Sequence, residues 1–166
     1  MTRVQTSTCV LDVSDYLAMQ RFAKQVGAKH GTVNLLFNNA GIAFGGLFKD
    51  VSLDDMRRVF DVNDWGVVHG CKAFLSLMTR AEAGCVINVS SVYGLIALPM
   101  QSAYCASKFA VRGFSDALRQ EVAYLGNKMQ VACAFPAGVK TAIAQRAKVL
   151  LHAKSESTPE LEREKM

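Results

Sequence analysis

Short, strongly apolar runs alternate along this chain with longer stretches in which apolar residues recur every three or four positions. The runs Ser7 to Leu11, Val33 to Phe37, Cys85 to Val89 and Met129 to Phe135 predict strands. Val33 to Phe37 is too apolar for a half-exposed strand. Continuous runs of that kind suit parallel strands covered on both faces. Between them, Ser14 or Asp15 opens a helix that ends near His30-Gly31. Ser52-Leu53-Asp54-Asp55 is a capping box at the head of a long helix over 53–79. Ala83-Gly84 breaks that pattern. Ala106, Ala110, Phe114, Ala117, Leu118, Val122 and Leu125 then mark one apolar face of a helix over 102–125, which Gly126-Asn127 terminates. A short helix is expected after Thr141. Beyond Lys154 the chain turns polar and charged, so 1–154 reads as one domain and 155–166 as a loose tail. Strand–helix alternation of these lengths predicts an α/β fold with a parallel sheet of right-handed βαβ units.

Composition narrows the class. An apolar fraction of 51% over 166 residues supports one packed domain. No run of 18 apolar residues occurs and the first residues lack an apolar signal region, which points to a soluble, cytoplasmic protein without a membrane partner. The five cysteines (Cys9, Cys71, Cys85, Cys105, Cys133) are odd in number and form no Cys-x-x-Cys pair, so they are expected as buried, reduced thiols. Three scattered histidines offer no metal-ligand spacing, and no metal site is expected. The net charge of +5 is not gathered into a basic run with aromatics, which argues for a solvated surface and against nucleic-acid binding.

Chemistry concentrates at Tyr104-Cys105-Ala106-Ser107-Lys108. Tyr104 and Lys108 lie one turn apart on one helix face. An ammonium beside a phenol favours the phenolate, which makes Tyr104 a candidate general acid or base. Ser91, thirteen residues upstream, offers a hydroxyl to hold a reacting oxygen. Each residue also has a plainer reading. Tyr104 could be a surface tyrosine, Ser91 a cap, and Asn38-Asn39 before Gly41 a strand-to-loop turn. Ser90 is the better structural serine of its pair. Asn63 sits inside a helical pattern, where Asn costs stability, and that cost hints at a role. Asp12, Asn39, Ser91 and Pro136 all fall at or just after the C-terminal ends of predicted strands, the edge where open α/β sheets bind ligands.

Asn38-Asn39-Ala40-Gly41, Asn63, Asn88-Val89-Ser90-Ser91, Tyr104 to Lys108 and Pro136-Ala137-Gly138-Val139-Lys140-Thr141 follow one another in an order and spacing that resembles the short-chain dehydrogenase/reductase family, from about Val10 to about Gln145. The resemblance implies a Rossmann-like doubly wound sheet. It also implies an oxidoreductase that uses NAD or NADP to interconvert a secondary alcohol and a carbonyl compound, a small-molecule substrate. Under it, Tyr104 is the catalytic acid/base. Lys108 lowers the phenol pKa and binds the nicotinamide ribose. Ser91 orients the substrate oxygen, and Asn63 links Lys108 to solvent through water. Asp12 and Val13 contact the adenine. Asn39, Ala40 and Gly41 line the cofactor, and Pro136, Val139 and Thr141 hold the carboxamide. A homodimer or homotetramer through helices 53–79 and 102–125 is implied, with Ala106, Ala110 and Gly113 allowing close packing. Ala137 departs from the family's usual glycine after this proline, which questions the loop's shape.

The family's Thr-Gly-x-x-x-Gly-x-Gly turn has no counterpart. The first glycine is Gly27, inside a predicted helix. The sheet is therefore expected to be incomplete, lacking the first βαβ unit and the family's last strand. Ser7 to Leu11 would lose its neighbour, and Val33 to Phe37 would present an open edge. Three readings remain: the chemistry of an active oxidoreductase in a truncated chain, a non-catalytic dimerisation or interaction module, and a fragment with no function alone. The residue that selects NAD or NADP would lie in the absent part. Tyr93, Leu95, Ile96, Leu98 and Met100 suggest an apolar pocket wall and a substrate of modest size.

Overall fold

The computed structural model describes residues 5–126, 128–140, 142–143 and 147–150. Asp15 caps the first helix, α1 (Tyr16–His30), by accepting from the Ala18 N–H, and Gly31 closes it at φ 78°. A parallel sheet follows, built from β1 (Leu35–Asn38), β3 (Cys85–Val89) and β4 (Gln130–Ala134) in the order β1-β3-β4. Between β1 and β3 come the short strand β2 (Phe44–Gly45), α2 (Leu53–Phe60), a π-helical turn at Asp61–Trp65, and α3 (Gly66–Met78). The expected capping box opens α2: the Asp55 N–H donates to Ser52 Oγ at 3.1 Å. The helix α4 (Ser102–Tyr124) links β3 to β4.

Register explains where the core lies. Leu36, Val86 and Val131 stand side by side across the three strands, as do Asn38, Asn88 and Cys133. These alternate positions face the helices, and Val86, Asn88 and Val131 are buried. Met19 and Ala23 of α1, Cys71, Phe74 and Leu77 of α3, and Val111 and Val122 of α4 pack onto that face in one cluster. Both crossovers step the sheet in the same direction, so a right-handed connection puts their helices on the same side. Leu35 and Phe37, on the opposite face, are 51% and 57% exposed. Among the described residues the sheet is thus covered on one face, where the apolar runs predicted two. It remains α/β, Rossmann-like and incomplete.

Other expectations also shift. Ser7 to Leu11 forms no strand, and Val10 is fully exposed. A strand is held by ladder hydrogen bonds, and no strand lies between this segment and β1 to supply them. The helix over 53–79 is not uniform, because the π turn interrupts it at Asp61–Trp65. On α4, the buried positions are Ala103, Tyr104, Cys105, Ser107, Lys108, Val111, Ser115 and Val122. Ala106, Ala117 and Leu125 of the expected apolar face are exposed. Cys71 and Cys105 are buried as expected, but Cys9 is exposed and Cys85 and Cys133 are half-buried; none of the five is paired.

The helix expected after Thr141 falls largely outside the described residues, as does the 155–166 tail. The described part shows a turn at Ala142–Ile143 and an unexpected strand β5 (Lys148–Val149). β5 pairs in parallel with β2 and is tied to α2 by Lys148 Nζ, 2.8 Å from Asp55 Oδ1. Phe44, Val59 and Ala103 form a second small core beneath it. No described helix is long and apolar enough to cross a membrane.

Candidate active site

The C-terminal end of β3 delivers the serines. Ser90 is 2% exposed and its hydroxyl donates to the Lys108 carbonyl at 2.8 Å, which makes it the structural member of the pair. Ser91 caps the 3-10 turn Val92–Gly94, accepting from the Tyr93 N–H at 3.2 Å, and its hydroxyl acts to lower the Tyr104 phenol pKa. The cap reading of Ser91 therefore holds. The Tyr93 and Tyr104 rings meet edge to face, 6.1 Å apart.

One turn along α4, Lys108 is 3% exposed and its Nζ donates to the Val89 carbonyl at 3.0 Å. The ammonium lies 5.7 Å from the centre of the Tyr104 ring. Sequence reasoning expected Lys108 to lower the phenol pKa. The structure gives the opposite direction. Burial pushes Tyr104 up, the neighbouring Ser91 hydroxyl opposes it, and Cys105 and Tyr93 add to the rise. Lys108 is turned toward Val89, so its charge does little for the phenol. In this arrangement Tyr104 holds its proton at neutral pH and is suited to donate it.

Burial also pushes Lys108 down to about 8 from 10.5. The folded chain then binds fewer protons at this site than the unfolded chain between those values, so stability should rise as pH is raised through that window. Two and a half units correspond to roughly 3 kcal/mol. Raised Cys71 and Cys133 work against the rise above their ordinary value of 9, and raised Tyr104 above 10, so the net increase is confined to about pH 8–9. Urea melts from pH 7 to 9 should show the increase in the parent chain. Lys108→Met should flatten it, and an unchanged slope in that variant would remove Lys108 as its source.

Asn63 sits in the π turn and is fully buried. Such turns reposition a side chain that a regular helix would aim elsewhere, and they cluster at functional sites. Asn63 Oδ1 accepts from the Ile42 N–H at 2.8 Å, and Nδ2 donates to the Ile42 carbonyl at 2.9 Å and to Ser107 Oγ at 3.0 Å. Gly41 completes the wall. A Cβ added there would lie 3.3 Å from Asn63 Oδ1 and 3.5 Å from Lys108 Nζ, filling the space in front of both.

The structure thus gathers Gly41, Asn63, Ser91, Tyr104 and Lys108. The other expected residues sit around them. Asn39 and Ala40 follow β1 and are exposed. Asp12 is exposed and forms a tight turn with the Ser14 N–H and hydroxyl, which hold its carboxyl below the usual range. Val13 is anchored to α3 through its carbonyl, to which His69 Nδ1 donates at 2.9 Å. Pro136 accepts from the Val92 N–H at 3.1 Å, which ties the segment after β4 to the serine turn. Val139 is 61% exposed, and Thr141 lies outside the described residues. The concern over Ala137 resolves: the left-handed backbone falls on Gly138, at φ 63°.

Two sets of residues were not anticipated. Ser107 is fully buried beside Asn63, and Asn88 and Ser115 form a buried polar pair beneath the sheet end. Ser107, Val111 and Ser115 repeat every four positions on the face that carries Tyr104 and Lys108. The two serines at i and i+8 on that face were the available signal.

For a nicotinamide cofactor the fit is split. The buried ammonium of Lys108 behind the glycine-sized gap at Gly41 suits the nicotinamide ribose end. No glycine-rich turn in this sequence serves the pyrophosphate. No cluster of three metal-ligating side chains occurs among the described residues.

A family model described as short chain dehydrogenase matches residues 1–149. A Mycobacterium tuberculosis protein named as an oxidoreductase, SadH, is 48% identical over 139 residues, covering 84% of this chain and 50% of that protein. A short-chain dehydrogenase/reductase from Burkholderia phymatum, solved in complex with NAD, superposes with a TM-score of 0.79 at 37% identity, over 81% of this chain and 48% of its own. ElxO, solved with NADP bound, superposes with a TM-score of 0.71 at 28% identity, over 76% of this chain and 50% of its own. The chain spans about half the length of these relatives.

Proposed function

This chain belongs to the short-chain dehydrogenase/reductase family, and from that premise we propose that it carries the proton-transfer machinery of an NAD(P)-dependent oxidoreductase acting on a secondary alcohol and its ketone. The observation that carries the reading is the burial of Ser91, Tyr104, Lys108 and Asn63 around one strand end, with the Lys108 ammonium 5.7 Å from the Tyr104 ring and the gap at Gly41 in front of Lys108 and Asn63. In the reductive direction the substrate oxygen sits between the Ser91 hydroxyl and the Tyr104 phenol. Tyr104 donates the proton that turns it into an alcohol. Ser91 holds that oxygen as negative charge builds on it. Lys108 and Gly41 face the cofactor, whose nicotinamide supplies the hydride when bound. Asn63 anchors Ile42 and so the wall that includes Gly41. Asp12, Val13, Asn39, Ala40, Pro136, Val139 and Thr141 complete the cofactor's surroundings in this reading. Leu95, Ile96, Leu98 and Met100 are all exposed on the segment between Ser91 and Tyr104, which favours an apolar substrate of modest size.

A second reading has its own support. Ala106, Phe109 and Gly113 form an exposed strip of small and apolar residues on α4, with open space beside Gly113. Pairing with another copy, or with a longer relative, through α4 and the α2–α3 helix fits that strip.

Thermal melts of the chain alone and with saturating NAD⁺ or NADP⁺ separate the readings. A ligand at 100 times its dissociation constant stabilises the folded state by about 2.7 kcal/mol. A cooperative melt raised by one cofactor supports the oxidoreductase and names its cofactor. A cooperative melt indifferent to both, in a chain that sediments as a dimer, favours the interaction module.

A further inference from the structure

Ser107 is fully buried, and nothing in the proposed proton transfer uses it. Its hydroxyl donates to the Tyr104 carbonyl at 2.8 Å. With its hydrogen spent there, Ser107 Oγ meets Asn63 only as an acceptor, from Nδ2 at 3.0 Å. The rest of the Asn63 carboxamide is clasped to one backbone unit, Ile42, through a donor and an acceptor. Ile42 thus decides which way round the amide lies, and Ser107 takes its remaining N–H and fixes its tilt.

The consequence reaches the site because Asn63 and Lys108 converge on the same small space at Gly41. We propose that Ser107 is a positioning residue, which locks the Asn63 carboxamide and through it holds the Gly41–Ile42 backbone in register with Tyr104 and Lys108 on α4. The inference rests on the reading of Tyr104, Lys108 and Gly41 given above. The mechanism is local. Without the serine oxygen, one Asn63 N–H is a buried donor lacking an acceptor. The amide tilts to find one, its two bonds to Ile42 lengthen, and the wall at Gly41 loosens. Polar satisfaction is otherwise complete here, since no described buried side-chain nitrogen or oxygen lacks a partner.

The Ile42 N–H reports on this clamp directly, because its acceptor is Asn63 Oδ1. Amide hydrogen exchange on the whole chain, followed by NMR, should show Ser107→Ala speeding exchange at Ile42 by about tenfold, with much smaller changes at Val86 and Ile87 in β3. Asn63→Ala should speed Ile42 at least as much, and adding Ser107→Ala to it should change nothing further, as expected of two residues acting through one contact. Ser107→Cys keeps a small side chain with a weak acceptor and should restore part of the protection; it also serves where the alanine variant fails to fold. The side-chain signal of Lys108 should titrate higher in Ser107→Ala, as the loosened wall admits water to it. Equal acceleration at Ile42 and throughout β3, additive effects of the two alanines, or an unmoved Lys108 titration would overturn the proposal. Exchange needs neither cofactor nor turnover, so this result is separate from the cofactor melts that judge the oxidoreductase reading.

Discussion

Tyr104→Phe should lower NAD(P)H-dependent reduction of an apolar ketone such as 2-octanone by about 10²–10⁴-fold, the usual worth of a positioned proton donor. It should leave the fold nearly intact. Phe keeps the ring that meets Tyr93 edge to face, the change deletes one hydroxyl, and nearby Ser91 retains its bond from the Tyr93 N–H. The stability cost should stay within about 1 kcal/mol, the worth of a single hydrogen bond. Separation of a large kinetic effect from a small thermodynamic one is the informative outcome. The raised phenol pKa adds a direction: a tyrosine that keeps its proton favours reduction near neutral pH, and oxidation of the alcohol should gain as pH rises. Steady-state kinetics with urea melts on the same preparations test both parts. If Tyr104→Phe retained more than a tenth of the parent's turnover, Tyr104 would lose its role as the acid.

Much of this arrangement was legible because local rules and burial agree. The capping box at Ser52, the glycine end of α1 and the apolar strand run at Cys85 to Val89 each follow from short-range chemistry that nothing overrides. The Tyr104–Lys108 pair was visible for the same reason, since helical spacing fixes which residues share a face. Three things were hidden. Ser7 to Leu11 has a strand's composition, but a strand exists only with a neighbour, and periodicity carries no information about neighbours. The buried face of α4 was misplaced because it contains Ser107, Lys108 and Ser115, whose polar groups are satisfied internally. Counting apolar residues therefore favoured Ala106, Ala117 and Leu125, which face outward. The π turn was hinted at only by the cost of placing Asn63 in a helix. Its effect, a side chain swung onto Ile42, needs three-dimensional contact to be seen. The phenol's pKa failed for a related reason: a sequence shows that a lysine is one turn away, but not that it turns to Val89.

Two helix glycines should respond to alanine with opposite signs, and Gly70→Ala should be the more damaging. By intrinsic preference each substitution should stabilise its helix by about 1 kcal/mol. Gly113 on α4 faces open space, so Gly113→Ala should show that gain. At Gly70 on α3 an added Cβ would collide with the Asn38 carboxamide, whose oxygen and carbon lie where it must go. Asn38 cannot simply move aside. Its Nδ2 donates to Asn88 Oδ1 at 2.9 Å, and Asn88 in turn donates to Ser115 Oγ at 2.9 Å, which bonds the Val111 carbonyl. Asn88 and Ser115 are fully buried, so displacing Asn38 strands polar atoms away from water. That chain joins β1 to β3 and to α4, the elements that hold Ser91 and Tyr104 together. Overpacking and an unsatisfied buried acceptor each cost about 1–3 kcal/mol, so a net loss of roughly 2–4 kcal/mol is expected against the helix gain. In a folded chain of this size such a loss lowers the melting temperature by several degrees or more. Asn38→Ala in the same background should recover only part of it, because it removes the collision but leaves Asn88 Oδ1 only the weak donor of the Cys71 thiol, at 3.6 Å. Full recovery would mean that steric overlap alone matters; a Gly70→Ala chain as stable as Gly113→Ala would mean that the polar chain tying the sheet to α4 yields more readily than its burial implies.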